Sequence, residues 1–106
     1  MNEDTLQVLF RTIIERKAHP AENSYTSSLL AKGGDKILKK LGEESTELVI
    51  AGKGGARSEI ICETADLLYH TLVLLAYHNV TLDEVYVELR RRFGTSGIEE
   101  KASRVK

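Results

Sequence analysis

The chain has one cysteine, one proline and no tryptophan in 106 residues. A lone Cys62 cannot close an internal disulfide, which fits a reducing compartment. There is no excess of basic residues: 15 Lys and Arg stand against 16 Asp and Glu. No positive field is therefore available to recruit nucleic acid. Long hydrophobic runs are missing too. The longest, Leu72 to Tyr77, is far too short to cross a bilayer. The opening Met-Asn-Glu-Asp is acidic and lacks the basic start and apolar stretch of a secretory signal. These absences lead to the expectation of a cytoplasmic protein with neither membrane nor nucleic acid among its partners. What is present, 42% apolar and 29% charged residues, is the balance of a soluble globular chain. The length suits one domain, spanning residues 1–106.

Helical periodicity runs through the chain, with no strand pattern, internal repeat or low-complexity segment. Leu6, Leu9, Phe10, Ile13 and Ile14 predict a first helix over Thr5–Lys17. His19-Pro20 ends it, because proline disfavours helix at the residue before it. Asn23 and Ser24 are caps for a short second helix, Tyr25–Lys32, stopped by Gly33-Gly34. Asp35 is the expected cap of a third helix reaching about Ala51, with Ile37, Leu38, Leu41, Leu48 and Val49 on its apolar side. Gly42 in its middle costs about 1 kcal/mol against alanine, and is expected to mark a close helix approach. Gly52-Lys53-Gly54-Gly55 reads as a turn. A fourth helix, Ser58–His78, is apolar nearly all round, which means burial on most sides. So small a monomer can hardly surround it, so a homodimer is expected. Thr81 caps a fifth helix, Leu82–Phe93, with Val85, Tyr86 and Leu89 inward. Gly94-Thr95-Ser96-Gly97 then leads to a polar tail. The fold class is all-α, a dimeric bundle of about five helices.

The third and fourth helices carry the chemistry. Glu43-Glu44-x-x-Glu47 precedes the glycine-rich turn and Glu63-x-x-Asp66 follows it. Residues three or four apart share a helix face. A hairpin therefore sets Glu44 and Glu47 roughly opposite Glu63 and Asp66. Four converging carboxylates repel unless a cation sits among them, and charge on so apolar a helix needs a partner or a metal. Hard oxygen donors favour Mg²⁺, with Mn²⁺ or Ca²⁺ possible, over Zn²⁺. A di-iron bundle would want Glu-x-x-His. Here the residues three beyond Glu44, Glu47 and Glu63 are Glu47, Ile50 and Asp66. An oxygen-only Mg²⁺ site commonly completes its shell with water and substrate phosphates, which points to phosphoryl or pyrophosphoryl transfer.

Lys36 and Lys40 precede Glu44 at intervals of four. They either salt-bridge along the helix or form a phosphate-neutralising edge. His70, one turn beyond Asp66, orients a carboxylate, touches substrate or packs in the core. The glycine-rich turn is not a phosphate loop: it lacks the Gly-x-x-x-x-Gly-Lys-Ser/Thr order and follows a helix. Cys62 reads as a packing residue, and Tyr69 and Tyr77 as core or interface.

The acidic pair of motifs resembles the signature of the all-α NTP pyrophosphohydrolase superfamily. The flanks narrow the likeness: Ser24-Tyr25-Thr26, Gly33-x-Asp35-Lys36-Ile37-x-Lys39-Lys40-x-Gly42-Glu43-Glu44, Ala65-Asp66-Leu67-Leu68-Tyr69-His70 and Ser96-Gly97-Ile98-Glu99-Glu100-Lys101. Together they resemble the phosphoribosyl-ATP pyrophosphohydrolase family, from about Leu6 to Arg104. That resemblance implies Mg²⁺-dependent hydrolysis of the α–β linkage of phosphoribosyl-ATP in histidine biosynthesis, by a stand-alone form of the enzyme. It implies Glu44, Glu47, Glu63 and Asp66 as metal ligands. Glu43 would hold a second ion or position water, with Glu43, Glu44 and Glu47 the catalytic set. Lys36, Lys40, Tyr25 and His70 would bind substrate. Two other readings stay open: a house-cleaning (d)NTP pyrophosphatase of the same superfamily, and a non-catalytic helical dimerisation module holding a structural cation.

Overall fold

The computed structural model describes residues 4–104 as six helices, with no strand among them. The first is α1, Thr5–Ala18. The Asp4 carboxylate caps it by accepting from the Leu6 N–H at 3.2 Å. The short α2, Tyr25–Lys32, is capped by Ser24, whose hydroxyl accepts from the Ser27 N–H at 3.0 Å.

The helix α3, Gly34–Gly54, begins earlier and ends later than its sequence pattern suggests. Gly33 takes φ 92° at the α2–α3 junction, so Asp35 lies inside the first turn instead of capping it. A Cβ added to Gly34 would sit 3.2 Å from the Tyr77 ring, so this glycine marks a true close approach. Gly42 does not, because nothing lies within 4 Å of a Cβ built there. At the far end, Gly52, Lys53 and Gly54 remain helical. The turn is reduced to Gly55, at φ 80° with its N–H donating to the Ala51 carbonyl at 3.0 Å, and Ala56. One glycine in the left-handed region is enough to stop a helix.

The antiparallel partner is α4, Arg57–Tyr77. Its most extensive packing is against α3, with α1 lying across it. The Lys17 ammonium caps its end, donating to the Ala76 carbonyl and to Asn79 Oδ1, both at 2.7 Å. Then comes α5, Leu82–Arg91, opened by the Thr81–Glu84 capping box. The last helix, α6, Gly97–Ser103, replaces the expected polar tail. Its Ser96 hydroxyl accepts from the Glu99 N–H.

The core gathers Ile13, Leu29, Ile37, Leu72, Val73, Ala76 and Leu82 at the open end of the hairpin. The other end stands clear of it. Val49, Ile50 and Ile61 there are 61–71% exposed, Cys62 is exposed instead of packed, and Leu68 is also exposed. On α5, Val85 and Tyr86 are half-buried, whereas Leu89 faces outward, as do Phe93 and Ile98 beyond it. By length and composition α4 could be taken for a membrane span. Its C-terminal half contributes Leu72, Val73 and Ala76 to the core, while Ile61 and Leu68 nearer its start are exposed.

Candidate functional site

The hairpin brings Glu44 of α3 against Glu63 and Asp66 of α4. A carboxylate oxygen from each lies within 4.8 Å of the other two. Glu44 is 6% exposed, and the other two are half-buried. The Oε2 atoms of Glu44 and Glu63 are buried without a hydrogen-bond partner. A buried carboxylate oxygen left unpaired is costly. Burial pushes the Glu44 carboxyl above its ordinary range, and Glu47 beside it adds to the effect. His70 and Lys40 pull the other way. Three hard donors with two orphaned oxygens are a donor set suited to a divalent cation such as Mg²⁺.

The remaining acidic residues take separate places. Glu47 is exposed and stands outside the group of three. It lines an adjoining cleft with Ile50, Ala51, Glu59 and Glu63. Glu43 also lies outside that group, with its Oε1 3.5 Å from the Lys40 ammonium. Lys40 reaches Glu44 Oε1 at 3.6 Å as well, so it bridges the two glutamates. The ammonium is held above the usual lysine range, first by the Tyr25 phenol oxygen and then by Glu43 and Glu44, with burial opposing. Lys36 is half-buried one turn before Lys40.

His70 is buried at 5% exposure. Its Nδ1 lies 2.8 Å from the Asp66 carbonyl oxygen, an acceptor only, so Nδ1 carries the proton. In the neutral ring Nε2 is then an acceptor, and the Tyr25 hydroxyl donates to it at 3.1 Å. Tyr25, His70 and Lys40 thus share one edge of the carboxylate group. The motif residues Thr26 and Tyr69, to which the sequence assigned no site role, Tyr69 reading as core or interface, lie beside them with their hydroxyls hydrogen-bonded to each other. Sequence reasoning passed over Glu59 of the cleft. The signal for Tyr69 was its place beside His70 on a helix otherwise rich in aliphatic residues.

The family profile of phosphoribosyl-ATP pyrophosphohydrolase matches residues 6–93. A phosphoribosyl-ATP pyrophosphatase of Geotalea daltonii is 71% identical over 98% of this chain and 98% of its own length. One from Geobacter metallireducens is 68% identical over 100% of this chain and 99% of its own. A third, from Geobacter sulfurreducens, is 62% identical over 98% of each. With matches that span the chain and an all-helical fold carrying paired acidic motifs, this protein belongs to the phosphoribosyl-ATP pyrophosphohydrolase family.

Proposed function

We propose that this chain hydrolyses phosphoribosyl-ATP to phosphoribosyl-AMP and pyrophosphate, the second step of histidine biosynthesis, with Mg²⁺ as cofactor. The observation that carries the reading is the trio Glu44, Glu63 and Asp66 with two buried, partnerless oxygens, in a chain so similar to pyrophosphatases of that name. Those three residues would hold the cation, with Glu47 at the rim. When bound, the cation neutralises phosphate charge and makes water a better nucleophile. Mn²⁺ suits the same oxygen donors.

The chain's own residues supply the rest. Water attacks one phosphorus of the α–β linkage, and the bond from that phosphorus to the bridging oxygen breaks. Glu47 or Glu43, both exposed beside the trio, accepts the proton of the attacking water. The Lys40 ammonium meets negative charge on the phosphates, and Lys36 extends the same positive edge. Tyr25 and His70 border the substrate on the α2 side.

The active form is a cytoplasmic homodimer of one domain, residues 1–106. Two observations support the dimer. Apolar side chains at the hairpin tip and on α5 are exposed. The radius of gyration, 15.8 Å, also exceeds the roughly 13 Å of a compact domain of this length. Sedimentation at micromolar concentration should find no stable monomer; a compact, folded monomer would end that inference. The activity is tested by offering purified protein phosphoribosyl-ATP against a panel of NTPs and dNTPs, with and without Mg²⁺. Preferred Mg²⁺-dependent turnover of phosphoribosyl-ATP is expected. Preference for a plain nucleotide would make the protein a house-cleaning enzyme, and no turnover at all a binding module.

A further inference from the structure

Two adjacent residues at the start of α2 are bonded to two adjacent residues of α4. The Tyr25 hydroxyl donates to His70 Nε2, and the Thr26 and Tyr69 hydroxyls bond to each other. The rings between them interlock. Tyr69 and His70 meet edge to face at 4.9 Å, and Tyr25 and His70 at 5.9 Å. Tyr25 and Tyr69 lie tilted at 6.2 Å. All three separations fall in the attractive range for aromatic pairs.

The two bonds differ in what they reach. Tyr25 is 52% exposed and stands beside Lys40, so it borders the site. Tyr69 and Thr26 are half-buried behind it, and neither belongs to the carboxylate trio. The short α2 leans mainly on α1 and α3 and touches α4 only lightly. Leu29 and Ser27 anchor the middle of α2, and these two polar bonds join its first turn to α4. Burial raises the affinity of the Tyr69 hydroxyl for its proton, so it remains a neutral donor or acceptor for Thr26.

We infer that Tyr69 and Thr26 are positioning residues: their mutual hydrogen bond aims Tyr25 across the mouth of the carboxylate site and so sets how tightly the nucleotide is held. This rests on the functional reading above. A contact present equally in the ground state and the transition state changes KM and leaves kcat alone. Tyr25 lies at the edge of the site and not among the carboxylates, so its misalignment belongs to that class.

The test uses Tyr69→Phe and Thr26→Val, which remove one hydroxyl each, and Thr26→Ser, which keeps it. Each removal should raise KM for phosphoribosyl-ATP roughly three- to tenfold, the range one hydrogen bond spans. The kcat and the Mg²⁺-induced rise in Tm should be unchanged. The double variant should be no worse than either single one, because both delete the same bond, and Thr26→Ser should restore the wild-type KM. A second readout needs no turnover. The ¹⁵N resonance of His70 Nε2 should move in Thr26→Val, which removes the bond without altering a ring packed on His70, as Tyr25 shifts. Lowered Tm with unchanged KM and an unmoved resonance would overturn the inference and leave a structural bolt. A fall in kcat at constant KM would overturn it in favour of action on the reacting centre. If the resonance moves but the wild-type protein does not hydrolyse phosphoribosyl-ATP, the positioning stands for Tyr25 and the functional reading is what fails.

Discussion

Glu44 and Glu100 are the two buried carboxylates among the described residues, at 6% and 4% exposure, and they live in opposite surroundings. Glu100 is saturated with positive charge. Arg104 meets it at 2.5 Å and Arg91 at 2.6 Å, with Arg92 at 4.0 Å. Bonds from Arg104 and Arg91 hold its carboxyl down to about 2. Glu44 has the Lys40 ammonium at 3.6 Å on one oxygen and no hydrogen-bond partner on the other. Burial moves its carboxyl in the opposite direction. A buried charge whose partners are all on the same chain is a structural fastening. Here it ties α6 to the end of α5, with Glu88 bridging Arg91 and Arg92. A buried charge without enough partners is a place for something the chain does not supply.

The largest expected effect breaks the starved site. Asp66→Asn or Glu44→Gln should lower Mg²⁺-dependent hydrolysis on the order of 10²-fold or more, several kcal/mol of transition-state stabilisation. Neither change should destabilise the metal-free protein, because removing one charge relieves repulsion within the trio. The rise in Tm on adding Mg²⁺ should shrink, since a ligand stabilises only by binding the native state. Thermal melts of each variant with and without Mg²⁺, beside one activity assay, check all three points. An Asp66→Asn protein that turns over normally would remove that position from the ligand set.

Next in size is Lys40→Ala, which strips Glu44 of its lysine partner. If Lys40 meets phosphate, kcat/KM should fall about tenfold, ~1.4 kcal/mol, with little change in fold. If it serves only its two glutamates, stability should change by about 0.5 kcal/mol and kinetics hardly at all.

The saturated site should answer differently. Glu100→Gln leaves three arginines without their shared partner, so α6 should lose helicity and its amides should exchange faster. The Mg²⁺-induced rise in Tm should be untouched. A variant that loses the Mg²⁺ response would mean that the two carboxylates are not independent.

Acid supplies the gentlest test. Glu88 and Glu100 both lie at about 2, below the ordinary 4.5. A depressed carboxyl stabilises the fold above its unfolded value and loses that contribution as pH falls through its folded value. Hydrogen exchange between about pH 5 and about pH 2 should therefore show Gly97–Ser103 opening progressively, before the amides around Ile37 and Val73. Simultaneous opening of both regions would deny the arm its separate fastening.

Local chemistry wrote much of this in advance. The caps Ser24 and Thr81 act where side-chain preference puts them. The span of α2 follows from its flanking residues, and the i, i+3 spacing of Glu63 and Asp66 does set them on one face. The helix α6 was legible too and was passed over: Ser96-Gly97-Ile98-Glu99 has the Ser-x-x-Glu form of a helix start, hidden by the polarity of the residues after it. The extra turn of α3 was less visible. Gly52 and Gly54 punctuate a sequence strongly, yet each costs a helix only about 1 kcal/mol, and it is Gly55, at φ 80°, that ends α3.

What the sequence by itself determined is the set of helices, the side-chain caps at Asp4, Ser24, Thr81 and Ser96, and the acidic spacing, because all three depend on neighbours within about one turn. Tertiary structure alone decided that Glu44, not Glu47, closes the trio with Glu63 and Asp66, that Glu100 falls among arginines, and that Tyr25 and Thr26 land on His70 and Tyr69. Those outcomes turn on how far each helix is rotated about its axis and where two helices come into register. Rotation and register are set by apolar contacts between residues far apart in the chain, such as Ile13, Ile37 and Val73, which no local pattern contains.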